Sequence, residues 1–265
     1  MERIERFEAL EGLLSAQLRR GVFTNCFLSR GAYEREIGRG LRVHAFPGGL
    51  LLFRDREDHD LLNLYLQPDA EVELPGLARP AVVELAWKPR DAEAAASVLR
   101  RLQKAGFAGQ FRRRRYGRPA DSRKGARDAA VFCPGTDRLG AVLQFLTDQF
   151  DRLSGCIPTA DELCGALRSG AVLATEDADG MTGLLHFARE RAFTEIRHLA
   201  VRGDCRGRGV AGMLMNAYLA ETAHQKSQVW ARQGNTPAER VYEKYQYRPD
   251  GWESAVLTAG GKDEQ

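Results

Sequence analysis

Residues 196–215 read Ile196-Arg-His-Leu-Ala-Val-Arg-Gly-Asp-Cys-Arg206-Gly-Arg-Gly209-Val-Ala211-Gly-Met-Leu-Met215, an apolar strand running into a Gly/Arg loop that opens directly into a helix. The first N–H groups of a helix lack intrahelical partners and carry partial positive charge, so such a loop suits a phosphate. Gly207 and Gly209 let the backbone approach the anion where a Cβ would obstruct it. The spacing Arg206-x-x-Gly209-x-Ala211 is not a P-loop, which needs Lys-Ser/Thr after its last glycine. Nor is it the dinucleotide fingerprint, whose three glycines are spaced differently.

The surrounding pattern is regular. Arg138 to Leu153 has helical spacing, with Leu139, Val142, Leu143, Leu146 and Phe150 on one face. Thr159-Ala-Asp-Glu162 is a capping box, opening a helix that ends near Gly170. Ala171–Glu176 and Met181–Ala188 are strand-like and joined through Asp179-Gly180, a hairpin signal. Phe193–Val201 reads as a third strand, and the helix from Val210 buries Val210, Met213, Leu214, Ala217 and Tyr218. Ser227–Arg232 reads as a strand, followed by Thr236-Pro-Ala-Glu239 as a second capping box with Pro at the first helical position. That helix ends near Gln246, and Tyr247–Arg248 and Ala255–Thr258 finish the domain. The order is α-α-β-β-β-α-β-α-β-β.

The loop resembles the pyrophosphate loop of the GNAT acetyltransferases, there Arg/Gln-x-x-Gly-x-Gly/Ala, and the element order resembles the GNAT fold over residues 130–258. The resemblance implies an α/β fold with a mixed sheet, whose two central parallel strands splay apart to admit coenzyme A. It implies acetyl-CoA as cosubstrate. The backbone of Arg206, Gly207, Arg208, Gly209, Val210 and Ala211 would hold the pyrophosphate. Leu199, Ala200 and Val201 would pair with pantetheine as if it were another strand. Asn235 resembles the asparagine that bonds the pantetheine arm, and Ala238 the small residue that allows close approach. Asn235 is equally a natural cap before a helix.

For catalysis the resemblance points to Glu195, in a Phe-x-Glu-Ile context, as general base or water relay, and to Tyr242, which would protonate the departing thiolate. Strand alternation puts Glu195, Arg197, Leu199 and Val201 on one face and His198 on the other. On that face Glu195 could instead simply pair with Arg197. Tyr242 could instead be a helix aromatic packed in the core, as Tyr245 is. Phenol and thiol pKa values of about 10 and 8.5 make the proton transfer feasible. The family's Gly-Phe is replaced here by Gln246-Tyr247. The oxyanion donor is expected on the main chain of the Glu195–Val201 strand, and the acceptor face near Phe150–Ile157.

Between Phe111 and Val131 lie eight Arg/Lys and two acids, marking a boundary: an N-terminal domain over 1–120, a linker over 121–129 and the acetyltransferase domain over 130–265. The N-terminal half is either a degenerate GNAT-like repeat or an unrelated, smaller α+β domain. Leu41–Phe46, Leu50–Phe53, Asp60–Leu66 and Ala81–Trp87 read as strands, Asp91–Ala105 as a helix and Phe107–Arg112 as a closing strand. Leu102-Gln-Lys-Ala-Gly-Phe107 mirrors Tyr242-Glu-Lys-Tyr-Gln-Tyr247, and Leu64-Tyr-Leu-Gln-Pro-Asp69 mirrors Leu199-Ala-Val-Arg-Gly-Asp204. Residues 67–80 contain Pro68, Pro75 and Pro80 and leave no room for a phosphate loop plus a long helix. A repeat here is expected to have lost coenzyme binding.

Hydrophobic content of 43% with 28% charged residues is that of a soluble globular protein, and no apolar run is long enough to span a membrane. Five cysteines without C-x-x-C pairing argue against a disulfide framework or zinc site and fit a reducing cytoplasm. The histidines show no metal-ligand spacing, so no metal is expected. Net charge of +3 is too mild to argue for nucleic acid. The reading is therefore an N-acetyltransferase acting on a small-molecule or peptide amine by direct attack in a ternary complex. Its rivals are a non-catalytic acyl-CoA sensor and a nucleic-acid-binding regulator that uses Arg112–Arg115.

Overall fold

The computed structural model describes residues 1–17, 20–121 and 126–260. Of the expected linker, residues 122–125 lie outside the described residues, as do the final residues 261–265. Two compact units divide the chain: Met1–Arg112 with Glu253–Gln265, and Arg113–Trp252. The expected division at 121–129 differs from these units at both ends of the second one, which starts at Arg113 and gives up the strand around Ala255–Thr258.

The first unit holds β1 (Glu2–Arg3), α1 (Phe7–Gln17), β2 (Phe23–Thr24), α2 (Arg30–Gly38), β3 (Arg42–Phe46), β4 (Gly49–Asp55), β5 (Asp60–Leu66), β6 (Ala81–Trp87) and α3 (Ala92–Lys104). The strand β7 (Ala108–Arg118) carries the chain into the second unit. There follow α4 (Leu139–Gln149), α5 (Ala160–Arg168), β8 (Val172–Asp177), β9 (Gly180–Arg189), β10 (Phe193–Val201), α6 (Val210–Thr222), β11 (Lys226–Arg232) and α7 (Thr236–Lys244). The strand β12 (Arg248–Ala259) leads back. Among the described residues no helix is long and apolar enough to cross a membrane.

In the second unit the sheet order is β7-β11-β10-β9-β8, with β10 and β11 parallel and the other pairs antiparallel. One face packs Leu173, Leu185, Phe187, Ile196 and Val229 against Leu214 and Tyr218 of α6. Fully burying a side chain of this size contributes roughly 1.5–3 kcal/mol. The other face packs Val172, Ala174 and Leu184 against α4 and α5. A Cβ at Gly183 would sit 2.5 Å from Val210, so a glycine lets α6 lie close on β9. The Thr159–Glu162 capping box forms as expected. The second one does not: Asn235 is the cap of α7, its Oδ1 accepting from the Ala238 amide, and Thr236 is already helical.

The first unit repeats this plan. Its order is β1-β3-β4-β5-β6-β12, with β5 and β6 parallel. The mirrored helix ends match in detail: Phe107 N–H bonds Leu102 O and Tyr247 N–H bonds Tyr242 O, each at 3.0 Å. Both pass through a left-handed residue, Gly106 (φ 102°) in one and Gln246 (φ 67°) in the other. Residues 67–80 contain no helix.

The strands that complete the two sheets are exchanged along the chain. The strand after α3 was expected to close its own unit, yet Arg113–Arg118 of β7 pairs with β11. The strand after α7 likewise pairs with β6, from Glu253↔Trp87 to Ala259↔Ala81. A strand's residue pattern reports which face is buried and is silent on its partner.

Along β5 the strip Leu64–Leu66, which mirrors Leu199–Val201, is occupied by the chain's own residues 23–25. Phe23 and Thr24 pair with Leu66 and Tyr65. Asn25 Nδ2 donates to Leu62 O (3.2 Å) and Glu84 O (3.0 Å), and its Oδ1 accepts from Leu64 N–H (2.8 Å), bridging β5 and β6. Asn25→Ala leaves those main-chain groups without their partner. We expect a loss of about 2–4 kcal/mol in urea denaturation, since each unmade bond of this kind costs about 1–3 kcal/mol. A loss below about 0.5 kcal/mol, the scale of an ordinary surface change, would show the bridge to be incidental.

Candidate active site

The geometry of the site is set by a bulge in β10. Ile196 pairs with Phe187 and His198 with His186, so Arg197 is an inserted residue. An insertion of one reverses every side chain after it. Leu199 and Val201 therefore join Ile196 on the α6 face, while Ala200 packs on the α4–α5 face. His198 lies on that second face too, against Phe150 and Gly155. Simple alternation had put Glu195 with Leu199 and Val201 and had set His198 apart. The bulge separates the former and brings His198 to Glu195's side.

Just past the bulge the parallel pairing stops. β10 meets β11 only from Phe193↔Lys226 to Ile196↔Val229, whereas its pairing with β9 continues to Val201. Leu199, Ala200 and Val201 keep one edge unpaired by β11 and are half-buried. The chain then makes a tight turn over Gly203–Cys205 and enters α6 at Gly209, which has φ 84° and offers no side-chain cap. Gly207 is also left-handed, at φ 77°. Among the described residues no acceptor meets the amides of Val210, Ala211 and Gly212. Arg206 and Arg208 are exposed beside them. Arg202 is pinned below the loop by Asp177 (2.8 Å) and Asp204 (2.7 Å). Cys205 is buried next to it. Tyr245 donates to Gly212 O (2.9 Å), tying the end of α7 to the start of α6.

Glu195 is buried with both oxygens engaged: Oε1 pairs with Arg197 at 3.0 Å and Oε2 accepts from Gln228 Nε2 at 2.5 Å. The Arg197 pairing considered from sequence is present, and Gln228 is an addition no motif announced. Tyr242 lies on the opposite side of the sheet, among Ile196, Val229 and Tyr116. Its hydroxyl makes no hydrogen bond among the described residues. Burial pushes its pKa well above the usual value. Ala238 packs beside the same cluster.

Two histidines brace the loop at Gly155. His198 Nε2 lies 2.9 Å from Gly155 O, and its Nδ1 is 3.2 Å from Nδ1 of His186. Burial lowers the pKa of His186 to about 3 and of His198 to about 4, so both are neutral at pH 7. A carbonyl only accepts, so His198 carries its proton on Nε2 and His186 donates from Nδ1. The rings of Phe150 and His198 form a T-shaped pair with centroids 4.8 Å apart.

The pair carries a pH signature. Unfolded histidines titrate near 6.5 and these bury neutral, so their stabilisation is complete above about pH 6.5 and is lost as pH falls through about 4 for His198 and about 3 for His186. For His198 alone the shift corresponds to on the order of 3 kcal/mol. The melting temperature should fall across that window, and His186→Gln/His198→Gln should flatten the dependence. An unchanged slope in the double variant would contradict the assignment.

The arginine run is absorbed within the units. Arg112 stacks on Trp87 (5.7 Å), Arg113 donates to Ser154 O (2.6 Å), and Arg114 has partners of its own. Arg115 lies against Trp252 and Trp230 (4.8 and 5.7 Å) and pairs with Asp250 at 2.7 Å.

Residues 143–247 match the model of the Acetyltransferase (GNAT) family. Among solved structures, the chain is similar to an acetyltransferase from the GNAT family of Colwellia psychrerythraea, at 12% identity over 98% of this chain and 99% of that one, with TM-score 0.55. It is similar also to a GCN5-related N-acetyltransferase of Kribbella flavida, at 14% identity over 88% and 95%, with TM-score 0.54. A GNAT-family protein of Novosphingobium aromaticivorans matches at 15% identity over 80% and 89%, with TM-score 0.56. Likeness at these identities shows the fold. No curated protein matches the chain.

Proposed function

We propose, with residues 143–247 a GNAT acetyltransferase domain as the premise, that the protein moves an acetyl group from acetyl-CoA to a primary amine by direct attack in a ternary complex. One observation carries the reading: β10 leaves β11 immediately beyond Glu195, and its free edge ends at the uncapped start of α6. The residues fit the coenzyme. The amides of Gly207, Gly209, Val210 and Ala211 would take the pyrophosphate. Those of Arg206 and Arg208, also expected to do so, already donate to Gly203 O (3.3 Å) and Cys205 O (3.4 Å). The edge of Leu199–Val201 would pair with the pantetheine arm. Asn235, which caps α7, and Ala238 would flank that path. Acetyl-CoA supplies the activated acyl group.

Glu195 and Tyr242 lie on opposite faces of the sheet, so that the attack would come from one side and the departure would be assisted from the other. A carboxylate oxygen has two acceptor positions. Glu195 can therefore keep Arg197 and Gln228 and still accept, through a water, the proton the amine sheds. The bulge at Arg197 breaks the register with β9, and a main-chain N–H at that point would stabilise charge on the carbonyl oxygen. Tyr242 stays protonated and donates to the departing sulfur. Burial weakens it as an acid, but a thiolate in the same dry environment is made more basic by the same cause. The first unit, whose corresponding strip is filled by residues 23–25, is assigned no coenzyme.

The test is calorimetric titration with acetyl-CoA, followed by thiol release with a panel of amines. Binding with release supports transfer. Binding without release from any amine favours the acyl-CoA sensor. No binding at millimolar coenzyme by the folded protein removes the reading.

A further inference from the structure

A pocket of about 700 Å³ opens in the second unit at the end of the sheet where β10 and β11 begin, and it reaches Gln228, the residue that holds Glu195. Its charge is one-sided. Arg115 and Asp250 cancel each other at 2.7 Å, and Arg118, buried at the wall, is paired with Asp121 and the Tyr245 carbonyl. Arg191, Lys226 and Arg248 remain, exposed and without an ion pair among the described residues. Arg248 donates through Nη1 to the Glu243 and Tyr247 carbonyls, which leave its charge uncancelled. Three uncompensated cations at the mouth of a concave site raise the local concentration of anions. A volume of this size suits a small molecule; ligand pockets run to about 300–1,000 Å³.

We propose that this pocket holds the anionic end of the acceptor, so that the acceptor is a small amine bearing a carboxylate or a phosphate. This rests on the transfer reading above. Gln228 joins the two functions: it lines the pocket and donates to the carboxylate assigned to the amine proton. The anion would lie against Arg191, Lys226 and Arg248, and the amine would point towards Glu195. A polyanion such as a single-stranded nucleic acid would need a row of open cations along a surface, and the neighbouring arginine run is already engaged within the protein.

The experiment has two arms. In the first, thiol release from acetyl-CoA is compared for butylamine, 4-aminobutyrate and 3-aminopropylphosphonate. The expected result is that at least one anionic amine exceeds butylamine tenfold or more in kcat/KM. In R191Q/K226Q/R248Q that advantage should disappear through a rise in KM, and in the wild type it should shrink with added salt. Which anionic amine is preferred separates carboxylate from phosphate. Equal use of butylamine, or an unaltered preference in the triple variant, overturns the proposal and leaves acetyl transfer standing.

In the second arm, pyrophosphate is titrated into wild type, Gly209→Glu and the triple variant. Binding that survives Gly209→Glu and is lost in the triple variant supports the pocket. The reverse pattern assigns all anion binding to the coenzyme loop and overturns the proposal. Tight retention of an oligonucleotide that the triple variant loses would overturn it in favour of nucleic acid. Absence of acetyl-CoA binding would remove the transfer reading itself, and is read separately in the calorimeter.

Discussion

Glutamate in place of Gly209 is expected to weaken acetyl-CoA binding at least a hundredfold while the protein stays folded. The carboxylate would stand at the uncapped start of α6, where the pyrophosphate is assigned. Two like unit charges about 5 Å apart at an effective dielectric constant of about 20 repel by about 3 kcal/mol, which is more than a factor of a hundred in Kd. Crowding within the protein is not the cause, because a Cβ at Gly209 meets no protein atom within 4 Å. Conformation adds a smaller cost: at φ 84° an L-residue loses roughly 1–2 kcal/mol. Gly209→Ala bears that cost without the charge, so it should bind much better than Gly209→Glu. Titration of both variants, with circular dichroism to check the fold, separates the two contributions. Equal Kd values for the glutamate variant and wild type would place the pyrophosphate elsewhere.

Tyr242→Phe is expected to lower kcat by about a hundredfold or more, the scale of a lost general acid, with the Kd for acetyl-CoA little changed. The substitution is unusually clean. The hydroxyl has no hydrogen-bond partner among the described residues, so its removal orphans no buried group. Stability should hold within about 0.5 kcal/mol. Because burial raises this phenol, it stays protonated well past neutrality, and wild-type kcat should show no loss from Tyr242 ionising below about pH 10. An unchanged kcat in the phenylalanine variant would return Tyr242 to the core and leave the thiolate without an acid.

What could be read from the sequence was what local chemistry writes down. The Thr159–Glu162 capping box, the loop from Arg206 to Ala211 and the matching ends of α3 and α7 depend on residues a few positions apart. The bulge at Arg197 was invisible because no glycine or proline marks it, and the strand reads as unbroken alternation. That one inserted residue changed which side chains share a face with Glu195. Gln228 and the His186–His198 pair were hidden for a related reason: their partners lie on neighbouring strands, and register sets those meetings. Asn235 shows a subtler limit. The same side chain suits a helix cap and a ligand contact, and only the cap is settled by its geometry.

The exchanged strands bear on how the protein is made. Ser254 bonds Glu84 across 170 positions of sequence, and the first unit's sheet lacks β12 until residue 259 exists. The N-terminal half therefore cannot finish folding while the ribosome is still building the second. Its β6 waits as an exposed, apolar edge, a hazard for aggregation during synthesis. Contacts this distant also slow the closing step, since a long loop must be ordered before they repay it. A cut between residues 121 and 129 would yield two pieces, each holding the strand that the other requires.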